Sequence, residues 1–138
     1  MSLVLDSSAT LAWIFSDETT EAVRRVFDEV VEEGAVVPGL WRLEVANSLT
    51  MAVRRGRIDA EFRRASLADL ALLNITTDPQ TDTHAWGETL NLADRFRLTL
   101  YDAAYLELAG RRSLPLATLD GELRAAAATL GLHVLGDG

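Results

Sequence analysis

The sequence predicts one α/β domain that is built on a mostly parallel central sheet. Very short apolar runs alternate with longer segments whose apolar residues recur at helical spacing. A parallel strand is buried on both faces and is therefore apolar throughout, so this alternation favours a sheet with helices on both sides. The chain has 138 residues, near the most common domain size, and 49% of them are hydrophobic, which is enough for a sizeable core.

The first half of the chain is predicted to contain two strands and four helices. The strands are residues 2–5 and 35–37, and the helices are residues 7–15, 19–33, 40–53 and 60–73. Ser7 or Ser8 is expected to cap the first helix and Asp59 the fourth, since such side chains accept hydrogen bonds from the free N–H groups of a first turn. The second helix is the most clearly amphipathic, because its valines and Phe27 recur at helical spacing, and Gly34 is expected to end it.

The second half of the chain continues the alternation. The strands are residues 75–77, 116–119 and 133–135, and the helices are residues 83–97, 102–112 and 122–130. The apolar residues of the first of these helices are only partly in phase, whereas the last helix is rich in alanine and is expected to end at Gly131. We expect the domain to span residues 1–135 and the last three residues, 136–138, to be frayed.

The composition excludes several classes of protein. There is no cysteine, which excludes disulfides, a thiolate nucleophile and Cys-ligated zinc. All 13 basic residues are arginine, which excludes the lysine chemistry of P-loops and Schiff bases. No stretch is apolar enough to span a bilayer and no basic segment precedes an apolar one at the N-terminus, so we expect a soluble cytoplasmic protein. The net charge of −8 argues against broad electrostatic capture of nucleic acid, although bound cations would offset it locally.

Four acidic residues lie at or just past short apolar runs, or inside an apolar helix. They are Asp6, Glu44, Asp102 and Asp120. Asp6 and Asp120 follow predicted strands, and ligands bind beyond the carboxyl ends of the strands in sheets of this kind. Carboxylates that meet on one rim repel one another unless a divalent cation lies between them, and an oxygen-only site suits Mg²⁺ or Mn²⁺ rather than Zn²⁺. The pattern therefore predicts a site for a hard divalent cation.

Each of these acids also has an ordinary structural explanation. Asp6 and Asp120 could cap helices, and Asp102 could lie in a first turn, where a carboxylate interacts favourably with the helix dipole. Glu44 is harder to explain, because apolar residues surround it and a buried, unpaired carboxylate is costly. Its partner could be Arg42, or a metal ion reached directly or through water.

Four segments that contain these acids resemble, in order and in spacing, the PIN-domain ribonucleases. They are residues 4–9 (VLDSSA), 38–47 (PGLWRLEVAN), 98–106 (LTLYDAAYL) and 116–120 (LATLD). The resemblance covers almost the whole chain and is closest to the VapC-type toxins of bacterial type II toxin–antitoxin pairs. It implies a PIN-like three-layer fold with a central, mostly parallel five-stranded sheet flanked by helices.

The resemblance also implies roles for particular residues. The catalytic and metal-binding residues would be Asp6, Glu44, Asp102 and Asp120, and the supporting polar residues would be Ser8, Asn47 and Thr118. We expect Asp6 and Asp102 to bind the metal directly. In one departure from the family pattern, Gly121 follows the last acid where some relatives carry another acid. Glu122 is the nearest candidate here, and the number of metal ions stays open.

The implied function is that of an endoribonuclease toxin that hydrolyses RNA with Mg²⁺ or Mn²⁺ and leaves 5′-phosphate and 3′-hydroxyl ends. A cognate VapB-type antitoxin would neutralise it, and the toxin would form a homodimer, with heterotetramers or larger assemblies in the complex and no membrane partner. We expect the antitoxin to contact the helices near Trp13, Val23 and Phe27, or the helix that bears Trp41 and Met51.

Contacts with RNA are expected from arginines and exposed aromatic side chains, although both could instead be structural. The candidate arginines are Arg54, Arg55, Arg57, Arg111 and Arg112, and the candidate tryptophans are Trp13, Trp41 and Trp86. Neither histidine, His84 or His133, stands in a metal-binding spacing, and we expect His133 to be structural on the last strand.

Two other classes of protein share part of this sequence pattern. A haloacid-dehalogenase-like phosphatase or a receiver domain would also place an aspartate after the first strand, but both need a lysine and the phosphatase needs Asp-x-Asp, whereas this chain has Asp6-Ser7-Ser8. A PIN-fold binding module without catalysis is disfavoured by the intact set of four acids.

Overall fold

A five-stranded parallel sheet forms the centre of the protein. This computed structural model describes residues 2–137. Met1 and Gly138 lie outside the described residues, and Gly138 belongs to the C-terminal end that we expected to be frayed. The strands are β1 (Leu3–Leu5), β2 (Ala35–Val37), β3 (Ile75–Thr77), β4 (Leu116–Ala117) and β5 (Val134–Leu135). Their order is β3-β2-β1-β4-β5, and every neighbouring pair is parallel. The chain order reverses at β1, so a crevice opens at the carboxyl ends of β1 and β4.

Helices flank this sheet, as the sequence predicted for an α/β fold. Those within residues 2–137 are α1 (Ser7–Ile14), α2 (Glu21–Glu33), α3 (Trp41–Arg54), α4 (Ala60–Ala71), α5 (Thr81–Ala85), α6 (Glu88–Phe96), α7 (Leu100–Arg112) and α8 (Gly121–Thr129). The predicted fold class, a mostly parallel five-stranded sheet between helical layers, is confirmed. No helix of this described part is long and apolar enough to cross a membrane.

The core lies around β1, whose three residues are fully buried. Burial of β1 on both faces explains why its sequence is a continuous apolar run rather than an alternating one. β4, the next strand in the sheet, is also fully buried. The ends of β1 and β4 are therefore fixed in the most rigid part of the molecule.

The predicted N-cap of the first helix was wrong. The carboxylate of Asp6, rather than Ser7 or Ser8, accepts the hydrogen bond from the Ala9 N–H. Asp6 is the last extended residue before α1, with ψ 169°, so its side chain folds back over the first turn as an N-cap does. Asp59 caps α4 as predicted, through a hydrogen bond from the Phe62 N–H.

The helix predicted over residues 19–33 begins later than expected, at Glu21, and Thr20 is its N-cap. A short 3₁₀ turn, Ser16–Glu18, precedes it, and the Thr19 hydroxyl donates to the Ala12 carbonyl oxygen at 2.7 Å, which holds the chain out of the helix there. Gly34 ends α2 as predicted, with φ 78°. An added Cβ at Gly34 would lie 2.9 Å from the carbonyl oxygen of Asn74, so this close approach to the entry of β3 requires glycine.

The single helix predicted over residues 83–97 is two helices, α5 and α6. Trp86 and Gly87 separate them, and the backbone at Gly87 is not helical, with φ −111° and ψ −109°. The weak phase of the apolar residues in this region was the sign of the break.

The helix predicted over residues 102–112 begins earlier, at Leu100, because Thr99 is its N-cap. Asp102 therefore lies inside the first turn of α7 and does not open the helix.

At the end of the chain, His133 precedes β5 and its side chain is exposed, so it does not have the strand position that we predicted.

Candidate active site

The four acids predicted from the sequence all lie at the N-terminal ends of helices. Asp6 caps α1 and Asp120 caps α8, while Glu44 and Asp102 lie in the first turns of α3 and α7. The N-terminus of a helix carries a partial positive charge, which lowers the cost of placing carboxylates there. The ordinary capping roles of Asp6 and Asp120 are therefore real, and each uses one carboxylate oxygen for the cap.

Asp6 is the most deeply held of the four, with 3% of its surface exposed. Its Oδ1 accepts hydrogen bonds from the Ser8 hydroxyl at 2.7 Å and from the Ala9 N–H at 2.9 Å. Its Oδ2 accepts from the Thr118 hydroxyl, which comes from the segment after β4. A carboxylate has about four acceptor positions, so one remains on Oδ2 toward the site.

Burial raises the pKa of Asp6 from 3.8 to about 6, although hydrogen bonds from Thr118, Ala9 and Ser8 oppose the rise; the neighbouring charge of Asp102 adds to it. The loss of water therefore outweighs three good donors. No salt bridge within residues 2–137 reaches this carboxylate, so its negative charge has no basic partner there.

Asp102 lies at the centre of the acidic group. Its pKa is raised first by burial and then by the charges of Asp120 and Glu44, with a smaller effect from Glu122. Asp102 also raises the pKa of Asp6, so it lies close enough to each of the other three predicted acids for their charges to interact. Glu122, which the sequence suggested as an additional acid, is exposed on the first turn of α8 and contributes to the same field.

Glu44 has a partner that we did not predict. The hydroxyl of Tyr105 donates to its Oε1 at 2.6 Å. Arg42, the partner suggested from the sequence, is directed away and donates to the Thr77 hydroxyl and the Ile75 carbonyl oxygen on β3. Residues two apart on a helix do not face each other, which accounts for the different direction of Arg42, one of the two partners that the sequence left open.

Tyr105 is the site residue that the sequence analysis missed. It lies three residues after Asp102 on α7, and helical geometry aligns side chains at that spacing. A tyrosine with apolar neighbours in a helix, as in Ala104-Tyr105-Leu106, needs an acceptor for its hydroxyl if it is buried, and this was the available signal.

The supporting residues predicted from the sequence differ in their contacts. Ser8 and Thr118 both bind Asp6; Ser8 also accepts from the Leu119 N–H at 2.9 Å, and Thr118 accepts from the Asp120 N–H at 3.1 Å. They thus join the end of β1 to the loop that leads to α8. Asn47 lies one turn after Glu44 on α3 and is exposed, with no side-chain hydrogen bond inside residues 2–137.

The donor set fits a hard divalent cation held partly through water. Only oxygen ligands are present, and they repel one another in the absence of a basic neighbour. In the part of the chain that the structure describes, no group of three or more His, Asp and Glu side chains stands in a geometry that would hold an ion by itself. A donor set of carboxylate oxygens, without sulfur or nitrogen, suits Mg²⁺, which commonly takes one or two carboxylates and keeps several waters.

The arginines proposed for RNA divide into two groups. Arg57 forms ion pairs with Asp17 and Glu18, at 3.0 and 2.7 Å, and is thereby engaged within the protein. Arg54 and Arg55 are exposed at the end of α3 and make no side-chain hydrogen bond or ion pair with residues 2–137. Of the first cluster, only these two are free for a nucleic acid.

The second cluster is structural. Arg111 and Arg112 bind the buried carboxylate of Asp78 at 2.7 and 2.8 Å, and Arg111 also binds the buried Glu107 at 2.7 Å. Burial alone would raise the pKa of Asp78, but the two guanidinium groups hold it below its usual range. This network ties the C-terminal end of α7 to the segment after β3.

The aromatic and apolar residues that mark the helices expected to contact an antitoxin differ in exposure. Val23, Phe27 and Trp41 are buried in the core, which excludes Trp41 as a surface for stacking RNA bases; contact between an antitoxin and the helices that carry these residues stays a prediction. Trp13 is half-buried and stacks on the Phe27 ring, with 4.4 Å between centroids. By contrast, 91% of the surface of Trp86 is exposed, which leaves it available for stacking.

Comparison with known proteins identifies the family of the chain. The model of the PIN domain matches residues 3–128. Ribonuclease VapC3 of Pyrobaculum aerophilum is 30% identical over 123 residues, which are 89% of this chain and 92% of that protein.

Two solved structures share the fold. The crystal structure of PAE2754 from Pyrobaculum aerophilum superposes with a TM-score of 0.63 at 25% identity and covers 91% of this chain and 84% of that one. The structure of VapC20 of Mycobacterium tuberculosis, described as a toxin that cleaves the sarcin-ricin loop, has a TM-score of 0.64 at 17% identity, with coverage of 91% and 95%. From the family model and the curated relative, the chain belongs to the PIN-domain family and, within it, to the VapC-type ribonucleases.

Proposed function

We propose that this VapC-type ribonuclease is an endoribonuclease toxin that depends on Mg²⁺ or Mn²⁺ and is neutralised by a cognate VapB-type antitoxin. The observation that carries the proposal is that burial and the charges of neighbouring carboxylates raise the pKa values of Asp6 and Asp102, and no salt bridge within residues 2–137 reaches either of them. A site of this kind is stable when a cation enters it and unfavourable when it is empty. A divalent cation at this place would also favour hydrolysis of a phosphodiester bond, because it can polarise the phosphoryl oxygens.

Asp6 and Asp102 are the proposed direct ligands, and Glu44 and Asp120 complete the site directly or through water. The bound cation would lower the pKa of a water molecule and polarise the phosphoryl oxygens. The protein contributes fixed geometry: Asp6 is held by three hydrogen bonds, and Asp120 is held at the start of α8 by its cap to the Leu123 N–H. A site on strand ends and helix starts keeps these oxygens in place through the reaction.

Asp120 and Glu44 each keep one carboxylate oxygen that could bind the attacking water. Asp120 caps with Oδ1 and leaves Oδ2, and Glu44 accepts from Tyr105 at Oε1 and leaves Oε2. Either free oxygen can accept a hydrogen bond from the water and orient it toward the phosphorus. Ser8 and Thr118 would act through Asp6, because their hydroxyls hold its carboxylate and leave its fourth acceptor position free.

An acidic protein must also admit RNA. Arg54 and Arg55 are the proposed phosphate contacts, and Trp86 is a proposed stacking surface for an unpaired base. The antitoxin would place a basic side chain on the acidic group and so take the part of the cation. We propose a homodimer, with heterotetramers or larger assemblies once the antitoxin is bound.

Cleavage of total tRNA and ribosomal RNA by antitoxin-free protein tests the proposal. Discrete fragments are expected with Mg²⁺ or Mn²⁺, and they should vanish with EDTA and with Asp6→Asn. Asp59→Asn is the matched control, because Asp59 is also an N-cap aspartate but lies on the exposed start of α4. Undiminished cleavage by Asp6→Asn would remove Asp6 from the mechanism, and binding of metal without cleavage of any RNA would favour a binding module.

A further inference from the structure

Tyr105 brings a hydroxyl group into the middle of the acidic site. Only 1% of its surface is exposed, and its ring packs in the core beside β1. Its hydroxyl lies where α7 faces α3 and donates to Oε1 of Glu44 at 2.6 Å. Within residues 2–137, this is the hydrogen bond that the Glu44 side chain accepts.

The hydroxyl of Tyr105 adds a hydrogen-bond donor to the site without adding a charge. A phenol carries its proton at neutral pH and can donate it in a hydrogen bond, and the 2.6 Å contact with Oε1 of Glu44 uses the group in this way. Tyr105 therefore adds no negative charge to a site that already contains four carboxylates.

Glu44 depends on this contact more than Asp6 and Asp120 depend on any one of theirs. Asp6 has three donors and Asp120 is held by its helix cap, whereas Tyr105 is the only hydrogen-bond donor to the Glu44 side chain within residues 2–137. Glutamate also has one more rotatable bond than aspartate. Without the hydroxyl, its carboxylate would be free to turn toward solvent.

We propose that Tyr105 is a positioning residue, which fixes Oε1 of Glu44 and thereby directs Oε2 toward the region that Asp102 and Asp6 share. This inference rests on the proposed metal-dependent function and adds to it a residue outside the four acids. In this arrangement the ring supports the core, and the hydroxyl sets the orientation of one ligand. Groups that orient metal ligands in this way typically contribute about 10–100-fold to metal affinity or activity.

Two variants separate the hydroxyl from the ring. Tyr105→Phe removes one oxygen and leaves the ring in the core. Tyr101→Phe is the matched control, because Tyr101 is the only other tyrosine of the chain, lies one turn earlier on α7 and is 64% exposed. The same chemical change is thus made at two positions of one helix, inside and outside the site.

Binding of Mn²⁺ to the whole chain, measured by calorimetry and by electron paramagnetic resonance, gives a readout that does not depend on cleavage. Tyr105→Phe should weaken binding about 10–100-fold, and Tyr101→Phe should leave it unchanged. If Tyr105 acts through Glu44, then Tyr105→Phe should cause little further loss in a Glu44→Gln background. Equal losses in both backgrounds, or wild-type affinity in Tyr105→Phe, would overturn the inference.

A second measurement keeps the hydroxyl of Tyr105 in place and does not depend on the folding of the Tyr105→Phe variant. With both tyrosines replaced by 3-fluorotyrosine, the ¹⁹F spectrum has two signals, which Tyr101→Phe assigns. Saturating Mg²⁺ should shift the Tyr105 signal and leave the Tyr101 signal in place; an unmoved Tyr105 signal would refute the role. If wild-type protein bound no Mn²⁺ at all, the proposed metal centre itself would fall, and this inference with it.

Discussion

Replacement of Asp6 by asparagine should make the metal-free protein more stable while it removes activity. Asparagine keeps the shape of the side chain and is as good an N-cap as aspartate. It removes a charge that burial opposes and that Asp102 repels. Activity should be lost because the asparagine side chain carries no negative charge and offers one oxygen, so it binds a divalent cation more weakly than a carboxylate does.

The size of the gain follows from the pKa of Asp6. Its pKa rises from 3.8 unfolded to about 6 folded, a difference of about 2 units, and each unit is worth about 1.4 kcal/mol. The folded state therefore holds the proton more tightly, and stability that is present below about pH 4 is lost as pH rises through about 6. Asparagine does not titrate, so its advantage should be about 1 kcal/mol at pH 4.5 and about 3 kcal/mol at pH 7.5.

Urea unfolding in EDTA at pH 4.5 and pH 7.5 measures this difference. Asp59→Asn is again the control, since its exposed carboxylate should give little change at either pH. Added Mg²⁺ should then make wild type more stable than Asp6→Asn, because the ion stabilises only the protein that binds it. A metal-free Asp6→Asn protein that is no more stable than wild type at pH 7.5, or a difference that does not grow with pH, would refute the reasoning.

Three further predictions follow from contacts around the site and the sheet. Thr118→Val removes a donor to Asp6 and should lower Mn²⁺ affinity about 10–100-fold with the fold retained, so an unchanged calorimetric titration would contradict the role of Thr118. Arg111→Met leaves buried carboxylates without their main partner and should cost about 3–5 kcal/mol in urea unfolding; an unchanged midpoint would show that the network is dispensable. Gly34→Ala should destabilise the protein by more than 1 kcal/mol beyond Gly56→Ala, a glycine with a similar positive φ but open space around it, and equal melting temperatures would show that the close approach at Gly34 is harmless.

Much of the fold was accessible from the sequence because burial leaves a periodic signal. β1 is buried on both faces and reads as a continuous apolar run, and α2 has one buried face and reads as a helix. Its end at Gly34 was predictable because a positive φ favours glycine. What the sequence did not reveal was local competition, such as the Thr19 hydroxyl that delays the start of α2 and the break at Gly87 that divides one expected helix into two.

The candidate site shows the same division. Asp6 and Asp120 could be found because they follow buried strands, and the topology of a parallel sheet brings such ends together. The contact between Thr118 and Asp6 joins residues 112 positions apart, and the contact between Tyr105 and Glu44 joins residues 61 apart. Spacing along the chain carries no information about the side-chain directions that make these contacts, so only the folded structure reveals them.

Anomalous diffraction from crystals soaked in Mn²⁺ would test the central claim most directly. The account predicts a manganese peak about 2.1 Å from carboxylate oxygens of Asp6 and Asp102, with Glu44 and Asp120 in contact with the ion or with its waters. The peak should be absent from crystals of Asp6→Asn. A manganese ion that touches none of the four acids, in a protein that cleaves RNA, would contradict the account.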